Sequence, residues 1–149
     1  RLLRHDPCLL GGLDDQMAGL TRERRLAAYL SQSVRKPFAW GSHDCCLFVA
    51  GWIEAERGVD TAGGFRSRYR TELGAARLIR RAGGFLPFLG RLAATAGLSR
   101  VDDPRPGDVG VVQADDLQVA AIRTRIGWAA LKVGGMAVRP WPALVSWRV

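Results

Sequence analysis

Apolar positions recur at helical spacing from Thr21 onward, where Leu26, Ala27, Leu30 and Val34 form a stripe with arginines on the opposite face. Thr21 offers a capping hydroxyl and Pro37 a stop, so the pattern predicts a helix between them. A second helix runs from Cys45 to about Arg57 and ends at Gly58. Its Leu47, Phe48, Ala50, Gly51, Trp52, Ile53 and Ala55 leave almost no polar face, which places it at the centre of the fold. Gly63 to Tyr69 reads as a loop or a single turn. Thr71 caps a third helix through Ala75, Ala76, Leu78 and Ile79, closed by Gly83-Gly84. A fourth spans Phe85 to Ala96, with Pro87 in its first turn and Gly97 at its end.

The period changes after the turn Pro104-Arg105-Pro106-Gly107-Asp108. Short apolar runs then predict strands at Val109 to Gln113, Leu117 to Ile122, Ile126 to Val133, Met136 to Arg139 and Leu144 to Arg148. Ala114-Asp115-Asp116 and Gly134-Gly135 are hairpin connections. Helices first and an antiparallel sheet second define an α+β domain.

Composition sharpens this picture. The chain has 149 residues, 48% of them apolar, with five tryptophans, which is enough for one domain with a real core. No apolar run approaches the ~20 residues of a membrane span. Residues 1–16 contain Pro7, Gly11 and Gly12 and no sustained period, whereas Met17-Ala18-Gly19-Leu20-Thr21 looks like a natural start. Residues 1–16 are therefore expected to be an arm peripheral to a domain of residues 17–149, either native or foreign to it. That arm does not look like a signal peptide, and Cys8, Cys45 and Cys46 make a poor disulfide framework, so the thiols are expected to be reduced and the chain made in a cytoplasm. No Cys/His spacing suits zinc, and no cofactor is expected.

The net charge of +8 is almost all arginine, with Lys36 and Lys132 the only lysines. The arginines are scattered and no basic run interleaves with aromatics, so nucleic acid is not the expected partner.

Chemistry concentrates in Pro37-Phe38-Ala39-Trp40-Gly41-Ser42-His43-Asp44-Cys45-Cys46-Leu47-Phe48. A Gly-containing turn leads into the apolar helix and puts Cys45 in its first turn, where free N–H groups and the helix dipole favour a thiolate. Cys45 is the candidate nucleophile. Asp44 is expected to cap the helix, and its charge works against the thiolate. Cys46 points about 100° away around the helix, toward the core. His43 is a candidate base, but positions i and i+2 seldom converge, so a bond to nearby backbone is its expected role. Trp40, Trp52, Trp128, Trp141 and Trp147 are expected mainly in core packing, and Gly83-Gly84 as a helix stop.

Asp-Cys at the head of a buried helix, followed by Gly107-Asp108 before a small sheet, resembles the NlpC/p60 superfamily of papain-like cysteine peptidases and amidases. The matching run is Phe38-Ala39-Trp40-Gly41, then Asp44-Cys45-Cys46-Leu47-Phe48. A nearer likeness is to an uncharacterised branch of proteins encoded in tailed phages, prophages and gene-transfer agents. It shares Pro37 to Gly41, His43 to Cys46, Arg68-Tyr69, Ala75-Ala76-Arg77, Gly83-Gly84 and Gly107-Asp108-Val109. The resemblance covers roughly Leu20 to Val149 and implies a compact papain-like fold.

One departure bears on activity. The superfamily carries its histidine base at the start of the second core strand, where this chain has Gln118-Val119-Ala120, and no histidine follows His43. Gln118 cannot take a proton, and a thiol without a base is a slow nucleophile. The resemblance therefore implies a phage or prophage tail protein, at the tail tip or baseplate, in which a peptidase-like fold serves as a catalytically impaired structural or docking module. Its partners would be other tail or baseplate proteins. The alternative is an active cysteine hydrolase on peptidoglycan peptides during phage entry, with Cys45 as nucleophile and His43 or a partner's residue as base. An arginine-based nucleic-acid-binding module is the third reading.

Overall fold

The computed structural model describes residues 21–149, so the expectation of an arm at residues 1–16 lies outside the described residues. Among the described residues four helices precede six strands: α1 Arg22–Arg35, α2 Cys45–Arg57, α3 Glu72–Arg81, α4 Phe85–Thr95, β1 Ser99–Arg100, β2 Val109–Ala114, β3 Leu117–Arg123, β4 Trp128–Lys132, β5 Gly135–Arg139 and β6 Ala143–Arg148. Every strand pair is antiparallel, in the order β1-β6-β2-β3-β4-β5. The α+β class expected from the change of period is what the chain adopts.

Helix α2 is the axis of the fold. The Asp44 carboxylate accepts from the Leu47 amide at 3.0 Å at one end, and Gly58 closes the other in the left-handed region (φ 69°). Seven of its residues, from Cys46 to Ile53, are buried, and it packs across β3 and β4. Helix α1 lies beside it and turns Leu26, Tyr29, Leu30 and Ser33 inward. Ala27 and Val34, expected on that stripe, face solvent, and Val34 is 49% exposed. The inward face rotates because Tyr29 stacks on Phe48 (ring centroids 5.7 Å apart) and donates its hydroxyl to the Phe48 carbonyl at 2.6 Å. Arg25 grips Glu56 of α2 through two bonds, at 2.7 and 3.0 Å.

The sheet carries apolar side chains on both faces. Val109, Val111, Ala120, Ile122, Ala129 and Leu131 join the helices in the main core. Val112, Ala121, Trp128 and Ala130 form a smaller cluster on the other face. Trp128 packs over Gly110, where an added Cβ would come within 2.9 Å of the indole and 2.6 Å of the Val145 carbonyl oxygen.

β2, β3 and β6 each run one residue past their predicted ends, to Ala114, to Arg123 and back to Ala143, and the structure differs from the pattern at three further places. β4 starts at Trp128 because Thr124 and Gly127 close a turn (N···O 2.7 Å) that leaves Ile126 81% exposed. The β4–β5 connection is Val133-Gly134, since Gly135 pairs with Lys132 and opens β5. β1 is too short for any alternation to announce it, and it exists by pairing with β6.

The Pro-Gly-Asp turn fastens the helical half to the sheet. Fully buried Asp108 accepts from Arg22 Nη2 (2.9 Å), Arg148 Nε (3.2 Å), the Arg105 amide (2.8 Å) and the Val149 amide (3.2 Å). Trp52 Nε1 donates to the Gly107 carbonyl at 2.7 Å, so the centre of α2 is tied to the same turn. Gly107 holds a φ of 92°, and a Cβ there would come within 2.5 Å of Arg22 Nε. No helix among the described residues is long and apolar enough to cross a membrane.

Candidate functional site

The segment before α2 is folded back on itself. The Ala39 amide donates to the His43 carbonyl (3.0 Å) and the His43 amide to the Ala39 carbonyl (2.8 Å), closing a tight loop around Gly41. The Arg68-Tyr69 turn lies directly against this loop. Ser67 donates its amide to the Gly41 carbonyl at 2.9 Å, and a Cβ on Gly41 would sit 1.9 Å from the Tyr69 carbonyl oxygen. Gly41 is there because two backbones touch, and its φ of 83° also suits glycine.

This loop delivers Asp44 into the protein with no exposed surface. One carboxylate oxygen takes the Leu47 amide; the other takes the Gly41 amide at 2.9 Å and the Tyr69 hydroxyl at 2.6 Å. Asp44 is thus a buried helix cap engaged by three donors, one on Oδ1 and two on Oδ2.

Cys45 is half-buried at the first position of α2, and Cys46 behind it is buried. Hydrogen bonding from the Cys46 thiol holds the Cys45 thiol below its ordinary range, helped by backbone hydrogen bonds from Ala120 and Cys46 and opposed by burial and the Asp44 charge. The hydrogen bond to Cys45, together with burial, pushes Cys46 well above the ordinary thiol range. Of the two thiols, Cys45 is therefore the one that gives up its proton more readily.

The bond from Ala120 has a cause in the sheet. β3 and β4 pair only at Ile122–Ala129 and Arg123–Trp128, so Ala120 lies where the two strands have parted. Cys45 meets the strand there, through the Ala120 backbone.

Among the described residues no imidazole bonds this thiol. His43 Nε2 lies 2.8 Å from the Ser33 carbonyl oxygen, which can only accept, so Nε2 carries the proton and is committed to the last turn of α1. Gln118 is exposed and sits opposite Gln113 in the β2–β3 ladder. The sheet residue that meets Cys45 is Ala120, two positions further along the same face of β3 and fully buried.

There is also little space. Trp40, Tyr69, Leu78, Ile79 and Phe88 close over Cys45 and leave a cavity of ≈ 20 Å³. That is about the room one water needs. Helices α3 and α4 supply three of these covering residues, so the helical connection between α2 and the sheet acts as a roof over the cysteine. Trp40 braces it from the other side, edge-on to Phe38 with ring centroids 4.8 Å apart. Of the other tryptophans, Trp52, Trp128 and Trp147 are buried in the core clusters and Trp141 is half-buried at the edge of the smaller one. Among the described residues no group of three or more His, Cys, Asp or Glu side chains could hold a metal ion.

The sequence singled out Cys45, His43 and Gln118 but gave no role to Tyr69 or Ala120. The Arg68-Tyr69 pair was visible only as part of a resemblance, and a backbone donor carries no residue-type signal.

No curated protein and no solved structure matches this chain. A family model described as "Domain of unknown function (DUF6950)" matches residues 20–149, which is nearly the whole chain and includes both the Cys45 loop and the sheet, and the chain belongs to that family.

Proposed function

We propose that this protein is a non-catalytic docking module of a phage or prophage tail, at the tip or baseplate, in which an NlpC/p60-like fold has been retained without its hydrolytic chemistry. The observation that carries the loss of catalysis is the surroundings of Cys45. Its thiol lies under a roof of Trp40, Tyr69, Ile79 and Phe88 in a cavity of ≈ 20 Å³, and the only histidine described is bonded to Ser33. A peptide substrate needs a cleft along which its backbone can lie and a base within hydrogen-bond reach of the nucleophile. The viral setting rests on the resemblance of Pro37 to Gly41, His43 to Cys46 and Arg68-Tyr69 to the phage-encoded branch.

The test has two parts. Cys45→Ala is expected to assemble into particles of the encoding phage with undiminished infectivity, and the chain is expected in purified particles by mass spectrometry. Absence from particles overturns the tail assignment. Normal particles that cannot infect when Cys45 is replaced overturn the non-catalytic reading.

A second reading, the cysteine hydrolase, is favoured by one observation: Cys45 titrates below an ordinary thiol. Alkylation by iodoacetamide across pH 5 to 9 separates the two. Rapid labelling with a midpoint below about 7 would make Cys45 an activated nucleophile and the protein a hydrolase of peptidoglycan peptides. Slow labelling of the folded protein throughout is the expected result.

A further inference from the structure

Behind the roof over Cys45 runs a second, open depression, between the residue 61–65 turn, the end of α3 and the length of α4. It measures ≈ 370 Å³, and Leu78 and Phe88 line both it and the cysteine cavity. Its floor is apolar: Phe65, Phe88 and Leu92 are all buried residues, with Phe65 and Phe88 edge to face at 5.1 Å. Its rim carries Arg81 and Arg91. Both are exposed, and neither makes an ion pair among the described residues. Asp60, next to Thr61 in the chain, is held by two bonds to Arg66, at 2.9 and 3.0 Å.

Two further features point to an occupant. Thr61 lines this groove, and its hydroxyl oxygen, turned away from solvent, has no hydrogen-bond partner, the one such side-chain atom among the described residues. A buried hydroxyl left unpaired costs free energy, which rotation of the Thr61 side chain toward a polar group in the groove would recover. Gly64 also lines the groove, and a Cβ built on it meets nothing within 4 Å, so the wall there is open space.

We propose that this groove is the docking site for a partner protein, which it holds through an extended segment pairing a large apolar side chain with a carboxylate. The apolar side chain would lie on Phe65, Phe88 and Leu92, the carboxylate between Arg81 and Arg91, and a backbone or side-chain polar group of the segment would satisfy Thr61. The volume suits one or two side chains, near the lower end of the roughly 300–1,000 Å³ range of ligand pockets, and is too small for a folded surface. Guanidinium groups pair with carboxylates through parallel hydrogen bonds, which gives register as well as attraction. A nucleic acid fits less well, because it needs a row of cations along its backbone and open aromatic faces for its bases. The proposal rests on the docking reading above and names where that docking occurs.

The test is selection of a random peptide display library on the intact protein, repeated on Gly64→Trp, Arg81→Glu and Arg91→Glu. Enriched sequences are expected to place Asp or Glu within a few residues of Phe, Leu or Trp. A representative enriched peptide should bind each variant about tenfold more weakly or worse by fluorescence anisotropy. Gly64→Trp fills the groove, while the two arginine variants alter exposed side chains without packing partners, so the arginine pair still decides the matter if the tryptophan variant fails to fold. No enrichment, enrichment without acidic residues, or binding that all three variants leave unchanged overturns the proposal. So does displacement of the peptide by a DNA oligonucleotide at equal concentration. None of these outcomes alters the alkylation of Cys45, so failure of the groove and failure of the non-catalytic reading are told apart.

Discussion

The Tyr69 hydroxyl donates to Asp44 Oδ2 at 2.6 Å, joining the turn before α3 to the cap of α2 at a carboxylate with no exposed surface. Tyr69 is what allows a charge to stay buried there. Among the described residues its phenol is the only side-chain donor to Asp44; the other two donors are the Gly41 and Leu47 amides. Tyr69→Phe keeps the ring in place and removes one charge-assisted bond. It is expected to cost about 1.5–3 kcal/mol in urea unfolding with an unchanged m-value. A cost near zero would mean that water replaces the phenol and that Asp44 is less enclosed than its neighbours make it.

The chain contains only two tyrosines, Tyr29 and Tyr69, and both titrate above the usual phenol. Burial pushes Tyr29 up from 10 to about 12, and burial together with the bond to Asp44 pushes Tyr69 up further. A folded-state pKa above the unfolded one gives stability that is complete below the unfolded value and lost as pH rises through the folded one. The native protein should therefore show no phenolate absorbance near pH 10. Ionisation should begin above that and coincide with loss of structure by circular dichroism. A separate, earlier phenolate step in folded protein would place one of these rings in solvent.

Much of the fold could be read from the chain because local signals and tertiary demands agree. Thr21, Asp44 and Thr71 each cap the helix they precede, and Gly58 ends α2. Where they part, tertiary contacts decide. The inward face of α1 follows Tyr29 and Ser33 rather than Ala27 and Val34, because a tyrosine with a carbonyl partner is worth burying and an isolated valine at a helix end is not. Cys45 as the head of a buried helix was legible; its enclosure was not. The roof combines Trp40 and Tyr69 with the half-buried Leu78 and Ile79 of α3, whose contact with a distant turn leaves no trace in local periodicity. The register of β3 against Cys45 was equally hidden, since it depends on where β3 and β4 separate.

Asp108 is the more consequential of the two fully buried carboxylates. Arg22 and Arg148 both converge on it, with side chains 32% and 31% exposed, while Asp108 has no exposure at all. Removing the buried member strands two guanidiniums and two amides; removing one arginine leaves the carboxylate three donors. Asp108→Asn should then cost about 3–5 kcal/mol. Arg148→Gln should cost nearer 1 kcal/mol, because Arg22 and the Arg105 and Val149 amides still hold the carboxylate. Equal losses for the two variants would show that the turn is held by its backbone geometry and Trp52 rather than by this cluster.

Gln118→His would restore a histidine at the position where sequence resemblance expects one, and it offers a sharp check on how β3 meets the cysteine. Gln118 lies two residues from Ala120 along the strand, a displacement of about 6.5 Å, more than twice the reach of a hydrogen bond. Ala120, with no exposed surface, leaves no room for an imidazole to lean across, and the cavity above Cys45 is ≈ 20 Å³. The variant should fold normally, since Gln118 is exposed, and Cys45 should react with iodoacetamide at the rate and with the pH dependence of the parent chain. A new alkylation step following the histidine's own titration, near pH 6.5, would mean that the imidazole reaches the thiol. The roof would then have to open in solution far enough for the two side chains to meet.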